Sequence, residues 1–237
     1  MRQFKLAGLF VSLFFTGALQ AQSVDEIVNK HIDAIGGKDN WKKVNSFKQE
    51  ATLSVQGMDI PLTMYQVHNK AMKQEYVVMN MTAYTIMRTD SGWNYMPFQG
   101  QTAPEPMTAE QVKLGAEQLD IQGELLDYTA KGHKVELQGK EDVDGTEAIK
   151  LKVTRKSGNE IVYYFDPANY YIIRTVSKVK MDGQEMEQKM NYSNYKKLPE
   201  GITIPFTMES TAIPAPLNIS KVEVNPSIPE AVFRANQ

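Results

Sequence analysis

The stretch EIVYYFDPANYYIIRT, residues 160–175, decides the fold of this chain. It predicts two strands with bulky apolar and aromatic side chains on both faces, joined by a polar turn of sequence DPAN. Because side chains alternate along a strand, Tyr163 and Phe165 share one face, and Val162 and Tyr164 share the other. Both faces need a cover, and alternation alone does not say which face a ligand would meet.

Strands of the same kind fill two blocks of the sequence, on either side of residues 97–131. In the second block, Ile149, Leu151 and Val153 alternate with polar residues, which predicts a strand with one wet face. Short turns such as Asp144-Gly145 and Asp182-Gly183 separate the strands. The pattern predicts about ten or eleven strands, roughly ten residues apart, in an antiparallel meander.

Helical signals are confined to two places. Ser23-Val-Asp-Glu26 is a capping box, apolar residues follow it at helical spacing, and Gly36-Gly37 ends the helix. The segment 97–131 carries a second capping box at Thr108, and we expect another short helix at residues 125–128. A sheet of this length curls. The sequence therefore predicts a mainly β chain: a curved, incompletely closed antiparallel β-barrel, or half-barrel, with helices covering its concave side.

The N-terminus has the pattern of a secretory signal peptide. A positive start precedes a 14-residue apolar run from Leu6 to Leu19, and a small residue ends the segment at Ala21. We therefore expect residues 1–21 to be a cleaved signal peptide and residues 22–237 to form a single lipid-binding half-barrel domain. Position 22 is Gln and the chain has no Cys, so lipid attachment to a first mature Cys and disulfide bonds are both excluded.

Charge and motifs argue against several functions. Without Arg2 and Lys5 the mature chain has 24 basic and 28 acidic residues, and it lacks a basic block, so we expect no nucleic-acid partner. The three histidines, His31, His68 and His133, lack metal-type spacing, and we expect no metal and no cofactor. Neither a nucleophile elbow nor a phosphate-binding glycine loop is present, so we expect no catalytic residue and no enzyme activity.

Methionine is the more informative residue type. Twelve of the 13 methionines follow the predicted signal peptide, and several lie beside aromatic residues on predicted strands. Each one alone fits an ordinary core, but the set on a curled sheet favours a cavity, since methionine adapts to acyl chains of variable shape. The candidate ligand-binding residues of this hydrophobic cavity are Met64, Met79, Trp93, Tyr95, Met96 and Phe98, the lid candidates Leu114 and Leu119, and Tyr163 and Phe165.

A set of motifs gives the chain a family resemblance. The aromatic strand leads into Asp166-Pro167, the return strand carries Ile173-Arg174, and Tyr192-Ser-Asn-Tyr195 and Gly201-Ile-Thr-Ile204-Pro205 follow. With the opening VDEIVNKHIDAIGG and the closing PSIPEAVFRA, these motifs resemble the LolA-like superfamily of outer-membrane lipoprotein-sorting proteins.

The resemblance implies a function as well as a fold. It implies a periplasmic carrier that shelters lipoprotein acyl chains or similar lipid, with an inner-membrane donor and an outer-membrane acceptor as partners. Gln22 fits the soluble carrier better than the anchored acceptor. One departure is that the early strand ATLSVQG lacks the arginine that helps hold the lid shut in such carriers.

Two other functions remain open on the sequence. An envelope-stress sensory or protein-interaction module, like the sigma-factor regulators that share this architecture, would have a protein partner and an empty hollow. An esterase acting on lipid would need an activated nucleophile, for which the sequence offers no candidate.

Overall fold

The computed structural model describes residues 22–55, 57–181, 184–211 and 213–235. The predicted signal peptide and the predicted turn Asp182-Gly183 lie outside these ranges. Within them, helices α1–α3 span Val24–Ala34, Lys38–Trp41 and Ala109–Ala116, and short 3-10 helices occupy Pro97–Gln99, Glu117–Leu119 and Glu230–Phe233. None of the helices in this part of the chain has the length and apolarity needed to cross a bilayer.

The described residues form thirteen strands. In chain order β1–β13 are Ser46–Val55, Met58–Val67, Ala71–Val78, Met81–Arg88, Gly92–Tyr95, Glu105–Pro106, Lys134–Val143, Thr146–Thr154, Glu160–Phe165, Ile172–Met181, Gln184–Lys197, Thr203–Ser210 and Ile213–Val224. The count exceeds the predicted ten or eleven, partly because β6 is a two-residue strand inside a segment predicted as loop.

All thirteen strands belong to one antiparallel sheet. Its order is β6-β5-β4-β3-β2-β1-β13-β12-β11-β10-β9-β8-β7, so β1 and β13 join the two predicted blocks. The end strands β6 and β7 do not pair with each other. The sheet is therefore curled but unclosed, which confirms the predicted half-barrel.

Strand register shows which side chains share the concave face. Phe47 lies opposite Gln66, and Ala51 lies opposite Leu62, so the odd positions of β1 share a face with the even positions of β2. Phe47 and Ala51 belong to the same buried cluster as Ile27 of α1. This face is therefore the concave one, because it is the face on which α1 lies.

Local capping and docking contacts position the helices over this face. The Ser23 hydroxyl accepts the Glu26 N–H at 3.1 Å at the start of α1. At the other end, the Thr203 N–H donates to the Ile35 carbonyl at 2.8 Å and ties α1 to β12. Helix α3 starts with a complete capping box and lies so close to β4 that a Cβ on Gly115 would meet the side chain of Met87.

The hairpin that decides the fold has its two faces covered in different ways. Tyr163 and Phe165 are buried on the concave face, where the His31 ring of α1 meets the Phe165 ring edge-on at 5.2 Å. Tyr164 is buried on the convex face with Val143 and Ala148. The chain itself therefore covers both faces of β9.

Candidate functional site

The concave hollow has a covered half and an open half. Helices α1 and α2 and the segment 119–126 lie over the strand ends near Phe47 and Ile204, called here the base. Helix α3 lies over Met87, which also belongs to the base end of its strand. The opposite strand ends, where the hairpin turns β1–β2 and β3–β4 lie, are called the tips.

Toward the tips the concave face is apolar and half-exposed. Register places one continuous row of side chains there, because Leu53 lies opposite both Ile60 and Leu217, and Leu62 lies opposite Tyr76. We call this surface the apolar trough; it comprises Leu53, Val55, Ile60, Leu62, Met64, Tyr76, Val78, Met81, Met208 and Leu217, each half-exposed. Apolar side chains left open in a concave surface are the usual lining of a lipid or small-molecule site.

A separate cavity of about 210 Å³ lies beneath the helices, in the base. We call it the inner cavity; its wall includes Ile32, Trp41, Leu125, Tyr163, Tyr192 and Ile204. The polar groups of this wall have partners of their own: the Tyr192 and Thr175 hydroxyls lie 3.1 Å apart, and the Tyr195 hydroxyl donates to the Ile172 carbonyl at 2.8 Å. Because these hydroxyls are already paired, the cavity favours hydrocarbon over an ion.

His31 is buried in the wall of the inner cavity. Its Nδ1 lies 2.8 Å from the Tyr170 carbonyl, and its side chain is 3% exposed. Burial lowers the pKa of His31 to about 4, although the contact with the carbonyl opposes this shift. His31 is therefore neutral near pH 7, and it acts as a packing residue that donates one hydrogen bond.

One buried ionic cluster ties residues 117–126, called here the covering segment, to the sheet. Arg155, after β8, pairs with Glu117 at 2.7 Å and also with Glu124. The Tyr163 hydroxyl donates to Glu124 at 3.2 Å, and the Asn159 amide donates to Glu117 at 3.0 Å. The three charged side chains are each less than one-fifth exposed. This cluster could not be predicted from sequence patterns, because Arg155 is more than 30 residues from either carboxylate.

Four of the ten candidate residues lie in or beside the hollow. Met64 belongs to the apolar trough, and Tyr163 lines the inner cavity. Met96 adjoins the trough, since its sulfur accepts the Tyr76 hydroxyl at 3.2 Å. Leu119 is a buried residue of the covering segment itself, and its carbonyl accepts the Asn69 N–H at 2.8 Å.

The other six candidate residues lie elsewhere. Trp93 and Tyr95 face the convex side, where they pack with the buried Phe233 near the C-terminus. Phe165 is completely buried in the core. The remaining three, Met79, Phe98 and Leu114, lie in an exposed turn, in a half-exposed 3-10 helix and on the exposed face of α3. Ligand contact by any of the ten stays a prediction.

Sequence reasoning missed several members of the trough as site residues. Leu62 alternates with Met64 on the same strand, so the period-two pattern already placed the two side chains on one face. Tyr76 joins them only through the pairing of β2 with β3, and Leu217 and Met208 only through strand pairing across the junction of the two blocks. Within the described residues, no group of three or more His, Asp or Glu side chains has a metal-binding arrangement.

No protein-family model matches the sequence, and no curated protein matches it. Solved structures do match it. A DUF1329 family protein from Desulfovibrio piger is 15% identical with a TM-score of 0.55, and the match covers 89% of this chain and 97% of that chain. An outer membrane lipoprotein-sorting protein domain from Vibrio parahaemolyticus is 15% identical with a TM-score of 0.52, covering 88% and 94%. A LolA superfamily protein from Nitrosomonas europaea is 12% identical with a TM-score of 0.56, covering 87% and 96%.

These likenesses extend over nearly the whole described chain, and they agree with the unclosed sheet and its covering helices. At 12–15% sequence identity, these likenesses show the fold alone. The chain therefore has the LolA-like fold.

Proposed function

We propose that this chain is a periplasmic carrier that shelters lipoprotein acyl chains or similar lipid in its concave hollow, as part of outer-membrane lipoprotein sorting. The carrier has no catalytic role in this proposal. Its partners are a donor at the inner membrane, an acceptor at the outer membrane, and the lipid itself.

The observation that carries the proposal is the half-exposed apolar trough. A protein that needed only a stable core would bury Leu62, Met64 and Leu217, yet each is left half-exposed on the concave face. Every methylene that an acyl chain buries there contributes roughly 0.8 kcal/mol without any directional contact. Met64 also packs against the same buried cluster as Trp41, and Trp41 lines the inner cavity.

Methionine and tyrosine suit the trough to cargo of variable shape. Met64, Met81 and Met208 are unbranched and adapt to different chains. Tyr76 lies on the concave face opposite Leu62, and its hydroxyl contacts the sulfur of Met96. A lining of this kind favours a family of acylated molecules over one rigid ligand.

A matched pair of variants on β2 tests the proposal. Met64→Lys places an ammonium group in the trough, and Thr63→Lys places the same group on the convex face, opposite Glu50 and Glu75. We expect Met64→Lys to weaken uptake of a fluorescent fatty acid about tenfold or more, because a desolvated charge opposes an acyl chain. Thr63→Lys is expected to leave uptake unchanged.

Displacement by lipopeptide gives the second part of this test. A synthetic diacylated lipopeptide is expected to displace the fluorescent fatty acid, whereas the same peptide without acyl chains is not. Equal uptake by Met64→Lys and Thr63→Lys would contradict the proposal. The alternative of a sensory module predicts that wild-type protein takes up no fatty acid.

A further inference from the structure

A row of uncharged polar side chains crosses the concave floor of the sheet. The residues that lie directly opposite one another on β1–β5, one from each strand, are Gln49, Met64, Gln74, Thr85 and Asn94. Each of these side chains is half-exposed. We call Gln49, Gln74, Thr85 and Asn94 the amide row, since all but the threonine carry a primary amide.

The amide row lies at the border between the apolar trough and the covered base. The next row toward the tips contains Leu62 and Tyr76, which belong to the trough. The next row toward the base contains Gln66, whose amide donates to the Gln118 carbonyl of the covering segment at 2.8 Å. If the hydrocarbon chain of a ligand occupied the trough, the polar end of the ligand would therefore lie at the amide row.

The concave side of these strands is polar without being charged. Within the described residues, the positions of β1–β5 that face the concave side include no Asp, Glu, Lys, Arg or His. The same strands do carry charges on their convex face, among them Lys48, Glu50, Asp59, Lys73 and Glu75. A face that only had to be wetted would carry charges too, as the convex face does. Contact with water alone therefore does not explain the choice of amides.

The amides have hydrogen-bonding groups to spare. Among the described residues, the side-chain amides of Gln49 and Gln74 have no hydrogen-bond partner. The Thr85 hydroxyl donates to the Asn94 side-chain oxygen at 2.9 Å, and within the same part of the chain the Asn94 side-chain N–H groups have no acceptor. A primary amide supplies two N–H donors, and these pair with carbonyl oxygens. The row therefore offers neutral donors to a ligand in the hollow.

The spacing of the row suits a ligand with more than one carbonyl. Gln49 and Gln74 are two strands apart, as are Gln74 and Asn94, so their backbones are separated by about 10 Å. A single carboxylate would use one of these amides and would bring a negative charge to a face that carries no cation to pair with it. Several ester or amide carbonyls on one molecule would reach two amides and bring no charge.

We propose that the amide row binds the ester and amide carbonyls that join acyl chains to an uncharged head, so that the hollow selects esterified or amidated acyl chains over free fatty acids. The hydrocarbon chain lies in the trough, and Gln74 and Asn94 donate to the carbonyls at its head end. This inference rests on the proposed function, and it adds the chemical class of the head to that of the chain.

The test is displacement of the fluorescent fatty acid by three unlabelled ligands of one chain length: myristic acid, its glycerol monoester and an N-myristoylated dipeptide amide. Near neutral pH, both neutral ligands are expected to displace the probe at about tenfold lower concentration than myristic acid, because their carbonyls pair with the amides at no cost in charge. The ester stands for a glyceride and the dipeptide amide for an acylated peptide, so the tighter of the two indicates the source of the cargo.

Substitutions at Gln74 remove or reverse the expected preference. Gln74→Leu replaces the central amide by a side chain of similar size, so the three ligands are expected to bind within about twofold of one another while uptake of the probe is retained. Gln74→Lys is expected to favour myristic acid, because its ammonium group pairs with the carboxylate. Gln138→Leu is the matched control, since it removes an exposed amide of β7, at the other edge of the sheet, and it is expected to keep the wild-type preference.

The outcomes separate this inference from the proposed function. If wild-type protein takes up the three ligands equally well, selection by the amide row is wrong and the carrier proposal stands. An unchanged preference in folded Gln74→Leu would also overturn the inference, as would an equal weakening of all three ligands, which would show that this position only packs against the chain. Gln49→Leu gives the same comparison at a second amide if Gln74→Leu does not fold. Wild-type protein that takes up none of the ligands would overturn both proposals.

Discussion

His31 shows how one buried side chain makes the stability of this fold depend on pH. Its imidazole is packed between the sheet and α1, with one nitrogen 2.8 Å from the Tyr170 carbonyl. A histidine exposed to solvent has a pKa near 6.5. Burial instead lowers the pKa of His31 to about 4.

We predict that His31 makes the folded state less stable as pH falls from 6.5 to 4. Between pH 6.5 and 4, His31 of the unfolded chain binds a proton and His31 of the folded chain does not. The stability that the neutral, buried histidine contributes is therefore complete above pH 6.5 and declines as pH falls toward 4. The loss is up to about 3 kcal/mol. Urea unfolding at several pH values should show a steeper acid loss for wild type than for His31→Gln, in which the carboxylates still titrate. Parallel pH profiles for the two proteins would contradict this prediction.

Two consecutive glycines at the end of α1 make a second prediction at this scale. Gly36 and Gly37 both have positive φ, 113° and 86°. A Cβ on Gly36 would lie 2.2 Å from the Gly201 carbonyl oxygen, whereas a Cβ on Gly37 would have no atom within 4 Å. We expect Gly37→Ala to cost about 1 kcal/mol, from backbone strain alone, and Gly36→Ala about 3 kcal/mol or more. Equal urea midpoints for Gly36→Ala and Gly37→Ala would show that the fold does not need this close approach of Gly36 to Gly201, in the turn before β12.

Among the elements, the segment that carries α3 depends on a buried ionic contact. Arg155 reaches Glu117 and Glu124 from the end of β8, and each partner is mostly shielded from water. Removal of the arginine would leave two carboxylates close together with little hydration. Breaking a buried pair in this way costs far more than breaking an exposed one.

We therefore predict that Arg155→Met destabilises the fold by about 3 kcal/mol and loosens the covering segment first. Hydrogen exchange should speed up in residues 117–126 more than in β1. Lys140→Met is the control, because its ion pair with Glu147 is exposed and should be worth less than about 0.5 kcal/mol. Uniform exchange across the chain would indicate that Arg155 does not hold this segment in place.

Much of the element pattern could be predicted from the sequence, because it depends on local chemistry. Ser23 and Thr108 mark helix starts, and the alternation of Ile60, Leu62 and Met64 places them on one face. The sequence could not tell which face is concave. Trp93 and Tyr95 are on the convex side because of the pairing register of the strands from β1 to β5. A C-terminal segment more than 130 residues away in the sequence covers them there.

Over the whole molecule, the central feature is a curled sheet whose helices cover only part of its hollow. The base is filled by the chain's own side chains, such as Phe165 and Phe206, and the tip end leaves Leu62, Met64 and Leu217 half-exposed. This combination gives a stable fold and an unfilled apolar surface in one sheet. A carrier needs both properties, because its cargo must be sheltered and then released.

The most direct test of this account is mass spectrometry of the organic extract of protein purified from its native cell envelope. The account predicts an acylated lipid or lipoprotein in near-stoichiometric amount, which is lost in Met64→Lys and retained in Thr63→Lys. Protein that carries no acylated molecule, and that takes up none when fatty acid is supplied, would contradict it.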